Sequence, residues 1–197
     1  MYDLAIIGAG WAGYNAALRA KELNLKVALI EKAFIGGVCL NSGCIPAKSL
    51  IQSARVLNLV KKSSDFGIES LEPHLNFLKT QQRKNKIVEG LRSGMQFMLR
   101  GVDFFNAEAK IISSQEIDLN GRIIKTKFIL LATGSAPQEL EQLKFDGKKI
   151  ISSSDILSSD EIPSSLLIIG GGAIGCEFAG LFASLGTKVV ILEKRSS

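Results

Sequence analysis

An α/β fold organised around a parallel sheet is what this sequence predicts, on three observations. A unit of strand, glycine-rich turn, helix and strand occurs twice, at the two ends of the chain. Between the copies, two stretches of helical apolar spacing are followed by several short β-type runs. The chain has 197 residues, 46% of them hydrophobic, which is enough to bury a core and to form one domain with part of another.

In the first copy, Leu4-Ala5-Ile6-Ile7 is a short apolar strand running into Gly8-Ala9-Gly10-Trp11-Ala12-Gly13. An alanine-rich helical segment to Leu23 follows, then the strand Lys26 to Ile30, which ends on Glu31. In the second, Leu166-Leu167-Ile168-Ile169 runs into Gly170-Gly171-Gly172-Ala173-Ile174-Gly175. A helix through Phe178, Leu181, Phe182 and Leu185 then leads to the strand Lys188 to Leu192, ending on Glu193. Each glutamate lies eighteen positions beyond the last glycine of its motif.

A single G-x-G-x-x-G is weak evidence, but two in the same context with an acid at the same distance are strong. The first glycine (Gly8, Gly170) makes a tight turn, and the second (Gly10, Gly172) lets backbone approach a diphosphate. The third (Gly13, Gly175) permits close helix–strand packing, and the helix N-terminus offers unpaired N–H groups to phosphate. Glu31 and Glu193 are candidate acceptors for ribose hydroxyls. Both units are therefore expected to be Rossmann-like dinucleotide sites. A carboxylate at Glu193 repels a 2′-phosphate and favours NAD over NADP, an inference weakened by the adjoining Lys194 and Arg195.

Between the units lies Gly36-Gly37-Val38-Cys39-Leu40-Asn41-Ser42-Gly43-Cys44-Ile45-Pro46-Ala47-Lys48. A disulfide closing so short a loop would contribute only about 2 kcal/mol through the unfolded chain. A redox role explains the pair better, since exchange needs one sulfur for attack and a second to resolve the intermediate, and a nearby helix N-terminus would activate a thiol.

This segment resembles the redox-active motif of the flavoprotein disulfide reductases, which include the dihydrolipoamide dehydrogenases, glutathione reductases and mercuric reductases. The likeness is to the N-terminal portion of the dihydrolipoamide dehydrogenases, members of the class I pyridine nucleotide-disulfide oxidoreductase family. It implies that Cys39 is the interchange thiol and Cys44 the charge-transfer thiol against the flavin. Lys48 would lie at the flavin N5 edge, paired with Glu177 from the second motif. The first fingerprint would bind FAD and the second NAD. Thr133 and Gly134, following the apolar run Phe128 to Ala132, resemble the family's Ala-Thr-Gly segment near FAD. Ala47 departs from the serine common in the motif. The implied reaction passes electrons from a dithiol, dihydrolipoamide free or on a lipoyl domain, through Cys39–Cys44 and FAD to NAD. A glutathione- or mercuric-reductase-type activity and a non-catalytic FAD-binding remnant are the alternatives.

Helices are expected from Leu50 to Lys62 and from about Leu75 to Arg100, with Ile87, Val88, Leu91, Met95, Met98 and Leu99 as core. Val102 to Ile112, Ile117 to Leu119 and Ile123-Ile124 read as an antiparallel meander turning at Asn120-Gly121. The expected organisation is thus a Rossmann-like FAD-binding domain with an inserted antiparallel meander over 1–145, a linker over 146–164, and the first βαβ unit of an NAD-binding domain over 165–197. In the resembled family an acid/base His-Glu pair and a dimer-interface domain lie further on. His74 is unlike that histidine, so an incomplete enzyme and a missing homodimer interface are expected.

The remaining expectations are negative. The net charge of +5 is spread over short groups such as Lys61-Lys62, Arg83-Lys84 and Lys148-Lys149, read as solvated faces and not as a nucleic-acid surface. No apolar run is long enough for a membrane span, and Met1 to Gly8 has no basic leader, so a cytoplasmic protein is expected. The cysteine spacing lacks a second ligand pair for metal, and Cys176 reads as a small buried hydrophobe.

Overall fold

The structure, a computed structural model, describes residues 1–69 and 72–194. In chain order the elements are β1 (Tyr2–Ile7), α1 (Trp11–Glu22), β2 (Val27–Glu31), α2 (Gly37–Ser42), α3 (Cys44–Lys61) and α4 (Phe77–Met98). They continue with β3 (Asp103–Asn106), β4 (Ala109–Ser113), β5 (Glu116–Leu119), β6 (Arg122–Leu131), α5 (Ser153–Ile156), β7 (Ser165–Ile169), α6 (Ala173–Ser184) and β8 (Lys188–Leu192). Two compact units form: Met1–Ser42 with Val88–Gln138, and Gly43–Ile87 with Glu139–Ser197. The fold is α/β, as the glycine-punctuated strands predict.

The first unit is a six-stranded sheet of order β3-β2-β1-β6-β5-β4. β1 is central and parallel to both β2 and β6, with Ala5 opposite Ala28 on one side and Ile129 on the other. β2 is buried at four of its five positions, as a strand covered on both faces must be. β6 runs for ten residues and serves two ladders. Its first part pairs antiparallel with β5 from Arg122 to Lys125, and its second pairs parallel with β1 from Thr126 to Leu131. The Asn120-Gly121 turn has φ of 54° and 94°, the left-handed pair that a two-residue hairpin requires, and Asp118 accepts the Gly121 N–H at 2.6 Å. The meander is therefore β4, β5 and the start of β6. The expected single run Val102 to Ile112 is divided: β3 leaves the meander and pairs parallel with β2, Ala28 opposite Asp103. Ala5, Ala28, Ile30, Ile117, Leu119 and Ile124 form the core of this unit.

The second unit holds α3, the first half of α4, α5 and the β7-α6-β8 repeat. β7 and β8 are parallel, in register from Ser165–Lys188 to Ile169–Leu192. α6 buries Phe178, Leu181 and Phe182, one face at helical spacing, against Ala47, Leu50 and Ala54 of α3. Cys176, two positions before Phe178 and so about 200° round the helix from it, is exposed, which corrects its reading as a buried hydrophobe. On α4, Val88, Met95 and Leu99 are buried, whereas Leu91 and Met98 are 45% and 54% exposed and are not core.

Lys84 is also not on a solvated face: it is buried, and its Nζ donates to the Leu157 carbonyl at 2.7 Å. Burial disfavours the ammonium and holds its pKa below that of an ordinary lysine. An unfolded lysine keeps its proton to about pH 10.4. Between the depressed folded value and about pH 10.4 the unfolded chain binds the additional proton, so the Lys84 contribution makes stability rise with pH there. A Lys84→Met variant is expected to lose that rise relative to wild type. Urea midpoints measured across the alkaline range check it, and parallel curves for the two proteins would count against the burial.

Candidate functional site

In the first unit β1 ends at Ile7 and the chain turns sharply at Gly8, with φ of +103°. A Cβ there would strike the Ala132 carbonyl oxygen, and a Cβ on Gly13 would strike the carbonyl oxygen of Gly8. Two absent methyl groups thus let α1 and the end of β6 close on the turn. Gly10 caps α1 without any side-chain hydrogen bond, leaving the first-turn N–H groups of α1 available to an anion. Gly37, with φ of +58°, brings its backbone against Gly10, where a Cβ on Gly37 would lie 2.7 Å from the Gly10 Cα.

Glu31, at the end of β2, accepts the Ala9 N–H on Oε2 and the Ala33 N–H on Oε1, both at 2.9 Å. The carboxylate is fixed by backbone donors, and each oxygen keeps a lone pair for a further hydroxyl. An open cleft of about 700 Å³ lies in front of these groups, lined among others by Gly10, Glu31, Cys39, Arg92, Thr133 and Gly134. Its volume is within the usual range for small-molecule and cofactor sites. The glycine cradle, the capless helix start and the anchored carboxylate fit the diphosphate and ribose of a dinucleotide.

The second unit repeats the glycine turn and the anchored carboxylate, while among the described residues nothing lies within 4 Å of a Cβ on Gly170 or Gly172. Gly170 has φ of +106°, and Gly172 caps α6 at φ −70°, ψ −179°, against −68° and −177° for Gly10. A Cβ on Gly175 would strike the Gly170 carbonyl oxygen, and Glu193 accepts the Gly171 N–H at 2.7 Å. Glu193, just after β8, is thus tied to the turn that carries Gly170 and Gly172, with Gly175 in the first turn of α6.

Cys39 is a half-buried thiol in α2, and Cys44 is an exposed thiol that opens α3. Lys48 lies one turn beyond Cys44 on α3, and its Nζ contacts both oxygens of Glu177, that to Oε2 at 2.7 Å. With side-chain exposures of 58% and 40%, this ion pair contributes only about 0–1 kcal/mol to stability. His74 is exposed and far in sequence from these residues. Among the described residues no group of three or more His, Cys, Asp or Glu is arranged to hold a metal, and no helix is long and apolar enough to cross a membrane.

Sequence reasoning passed over Arg92 and gave Asn41 no role. The Arg92 guanidinium donates to Asn41 Oδ1 from Nε at 3.1 Å and Nη2 at 2.7 Å, and stacks 4.1 Å from the centre of the Phe34 ring. Nothing in the helical spacing of α4 marks that position. Asn41 carried the available signal, a polar residue between two cysteines and close to a glycine pair.

A family of pyridine nucleotide-disulphide oxidoreductases matches residues 2–197. The chain is 42% identical over 199 residues to a dihydrolipoyl dehydrogenase of Acholeplasma laidlawii, covering 98% of this chain and 59% of the relative. It is 46% identical over 201 residues to one of Bacillus subtilis, covering 96% of this chain and 43% of the relative. Among solved structures, the HOCl-induced flavoprotein disulfide reductase RclA of Escherichia coli, in a Cu(II) complex, superposes with a TM-score of 0.82 at 31% identity, over 99% of this chain and 42% of that one. The chain therefore spans about half the length of the relatives it matches. A match along nearly the whole sequence agrees with the doubled glycine turn and the cysteine segment, and the chain belongs to the pyridine nucleotide-disulphide oxidoreductase family.

Proposed function

We propose that this chain forms the FAD-binding and redox-disulfide portion of a dihydrolipoyl dehydrogenase-type oxidoreductase. The observation that supports this most is the gathering of Cys39 with Gly10, Glu31, Thr133 and Gly134 on the walls of a single cleft, a candidate thiol beside a dinucleotide cradle. Residues 1–145 are read as the FAD domain, 146–164 as a linker and 165–197 as the start of an NAD domain.

In this reading Gly8, Gly10 and Gly13 receive the FAD diphosphate and Glu31 the adenosine ribose, while Gly170, Gly172, Gly175 and Glu193 do the same for NAD. A dithiol substrate attacks the Cys39–Cys44 disulfide at the sulfur of Cys39, with Cys44 leaving as thiolate. The second substrate sulfur then displaces Cys39, so two electrons pass to the protein and the substrate leaves as its own disulfide. Lys48, held by Glu177, keeps a positive charge one helical turn from Cys44. When bound, FAD supplies the electron acceptor that re-forms the protein disulfide and the hydride that reduces NAD. A lipoyl dithiol is the substrate and a homodimer the assembly of the whole enzyme. The cytoplasm, where thiols are kept reduced, is its proposed compartment.

The test is an anaerobic titration of the FAD-reconstituted chain with dihydrolipoamide, followed by visible absorption. A long-wavelength charge-transfer band that is lost in Cys44→Ser is the expected result. A chain that binds FAD but shows no such band would leave only the FAD-binding-remnant alternative. Bands elicited equally by reduced glutathione, two molecules of which open the disulfide and leave as glutathione disulfide, would shift the substrate assignment to the glutathione reductase type.

A further inference from the structure

We propose that Arg92 is the cationic anchor for the diphosphate of the dinucleotide in the first-unit cleft, a role that rests on the reading of that cleft as the FAD site. Arg92 reaches the cleft from α4, and it is the one cationic side chain among the described residues that line it. The one anionic side chain there is Glu31, whose oxygens already hold the Ala9 and Ala33 amides.

The contacts of Arg92 orient it without neutralising it. Its acceptor is a neutral amide oxygen, Asn41 Oδ1, and its flat face rests on the Phe34 ring. Asn41 is itself immobilised, because its Nδ2 donates to the Ile35 and Gly37 carbonyls, each at 2.9 Å. No carboxylate among the described residues pairs with Arg92, and no acceptor among them takes up Nη1. A fixed, uncompensated guanidinium with free donors is the group best shaped to receive two oxygens of a phosphate. Backbone N–H groups and a helix start supply only partial charges, so two phosphate charges in this cleft call for a full one.

The same contacts could instead mean that Arg92 only braces the Gly36-Gly37 turn through Asn41, and the test separates the two roles. The chain's single tryptophan, Trp11, lines this cleft and reports binding by its fluorescence. FAD, ADP and uncharged adenosine are titrated into wild type, Arg92→Gln and Arg92→Lys at several salt concentrations. Loss of a charge-assisted contact weakens Arg92→Gln for FAD and ADP by about 10- to 100-fold, with a shallower salt dependence. Adenosine binding stays within about twofold and Arg92→Lys recovers part of the loss, as expected for a charge acting on phosphate. Equal losses for adenosine and ADP with an unchanged salt slope would overturn the anchor and leave a bracing residue. Unchanged FAD affinity in Arg92→Gln would overturn both. A folded wild-type chain that binds neither FAD nor ADP would overturn the reading of the cleft itself, and the anchor with it.

Discussion

Replacing Gly13 by alanine is expected to abolish dinucleotide binding in the first cleft and to cost the unit stability at or above the upper end of the usual overpacking range, about 3 kcal/mol. The added methyl would overlap the carbonyl oxygen of Gly8, and its next neighbours are the Gly8 carbonyl carbon and Ile6 Cγ2. Two of these three obstacles are backbone atoms of the turn, which cannot rotate away as the end of a long side chain can. α1 must therefore move off β1, carrying with it the N–H groups that face the cleft. Gly90→Ala is the internal control: Gly90 lies inside α4 with nothing within 4 Å of its would-be Cβ. There alanine is expected to stabilise by up to about 1 kcal/mol, since glycine is the poorer helix former. Urea midpoints together with FAD binding read by Trp11 fluorescence check both. A Gly13→Ala protein that unfolds with wild type and binds FAD within twofold would refute the packing role of this glycine.

The collision at Gly175 and Gly170 duplicates that at Gly13 and Gly8, and this is why the two units were legible in the sequence. The constraint that fixes Gly13 and Gly175 comes from a carbonyl five residues earlier, so spacing alone carries it. The same holds for Asn120-Gly121, whose positive φ angles are a local matter. β3 was not legible in this way: Asp103 finds its partner at Ala28, which no pattern within Val102 to Ile112 records. The division of β6 between an antiparallel and a parallel ladder is likewise set by β5 on one side and β1 on the other.

Side-chain roles separate along the same line. The pairing of Lys48 with Glu177, 129 positions apart, came only through resemblance to a family, because neither helix pattern distinguishes these residues from surface charges. Lys84 looked like one more surface lysine, and its burial depends on a carbonyl 73 positions away. Arg92 belongs with them. Its neighbour Leu91 has the apolar character expected of core and is exposed, while Arg92 itself is half-buried in the cleft wall. A helical pattern gives the period of burial, but it does not give the phase when a functional cleft, and not the core, takes up part of one face.

Phe182→Ala is expected to cost the second unit about 3–5 kcal/mol, a large fraction of the stability of an ordinary domain. Phe182 is fully buried, and it sits with Phe178 and Leu181 where α6 meets Ala47, Leu50 and Ala54 of α3. The rings of Phe178 and Phe182 lie 6.4 Å apart, so truncation removes a ring contact as well as buried area. Leu50 of α3, together with Ile156 and Leu157, belongs to the same buried cluster, so the void left by the ring is lined by large apolar side chains and its cost depends on how far they can close on it. By contrast Val190 on β8, 57% exposed, should tolerate alanine within about 1 kcal/mol, because most of its surface already meets solvent. Amide exchange in α3 and α6 provides the readout, since loss of this contact frees both helices together. If exchange in α3 were unchanged while α6 alone quickened, the cluster would not be the shared core that these contacts describe.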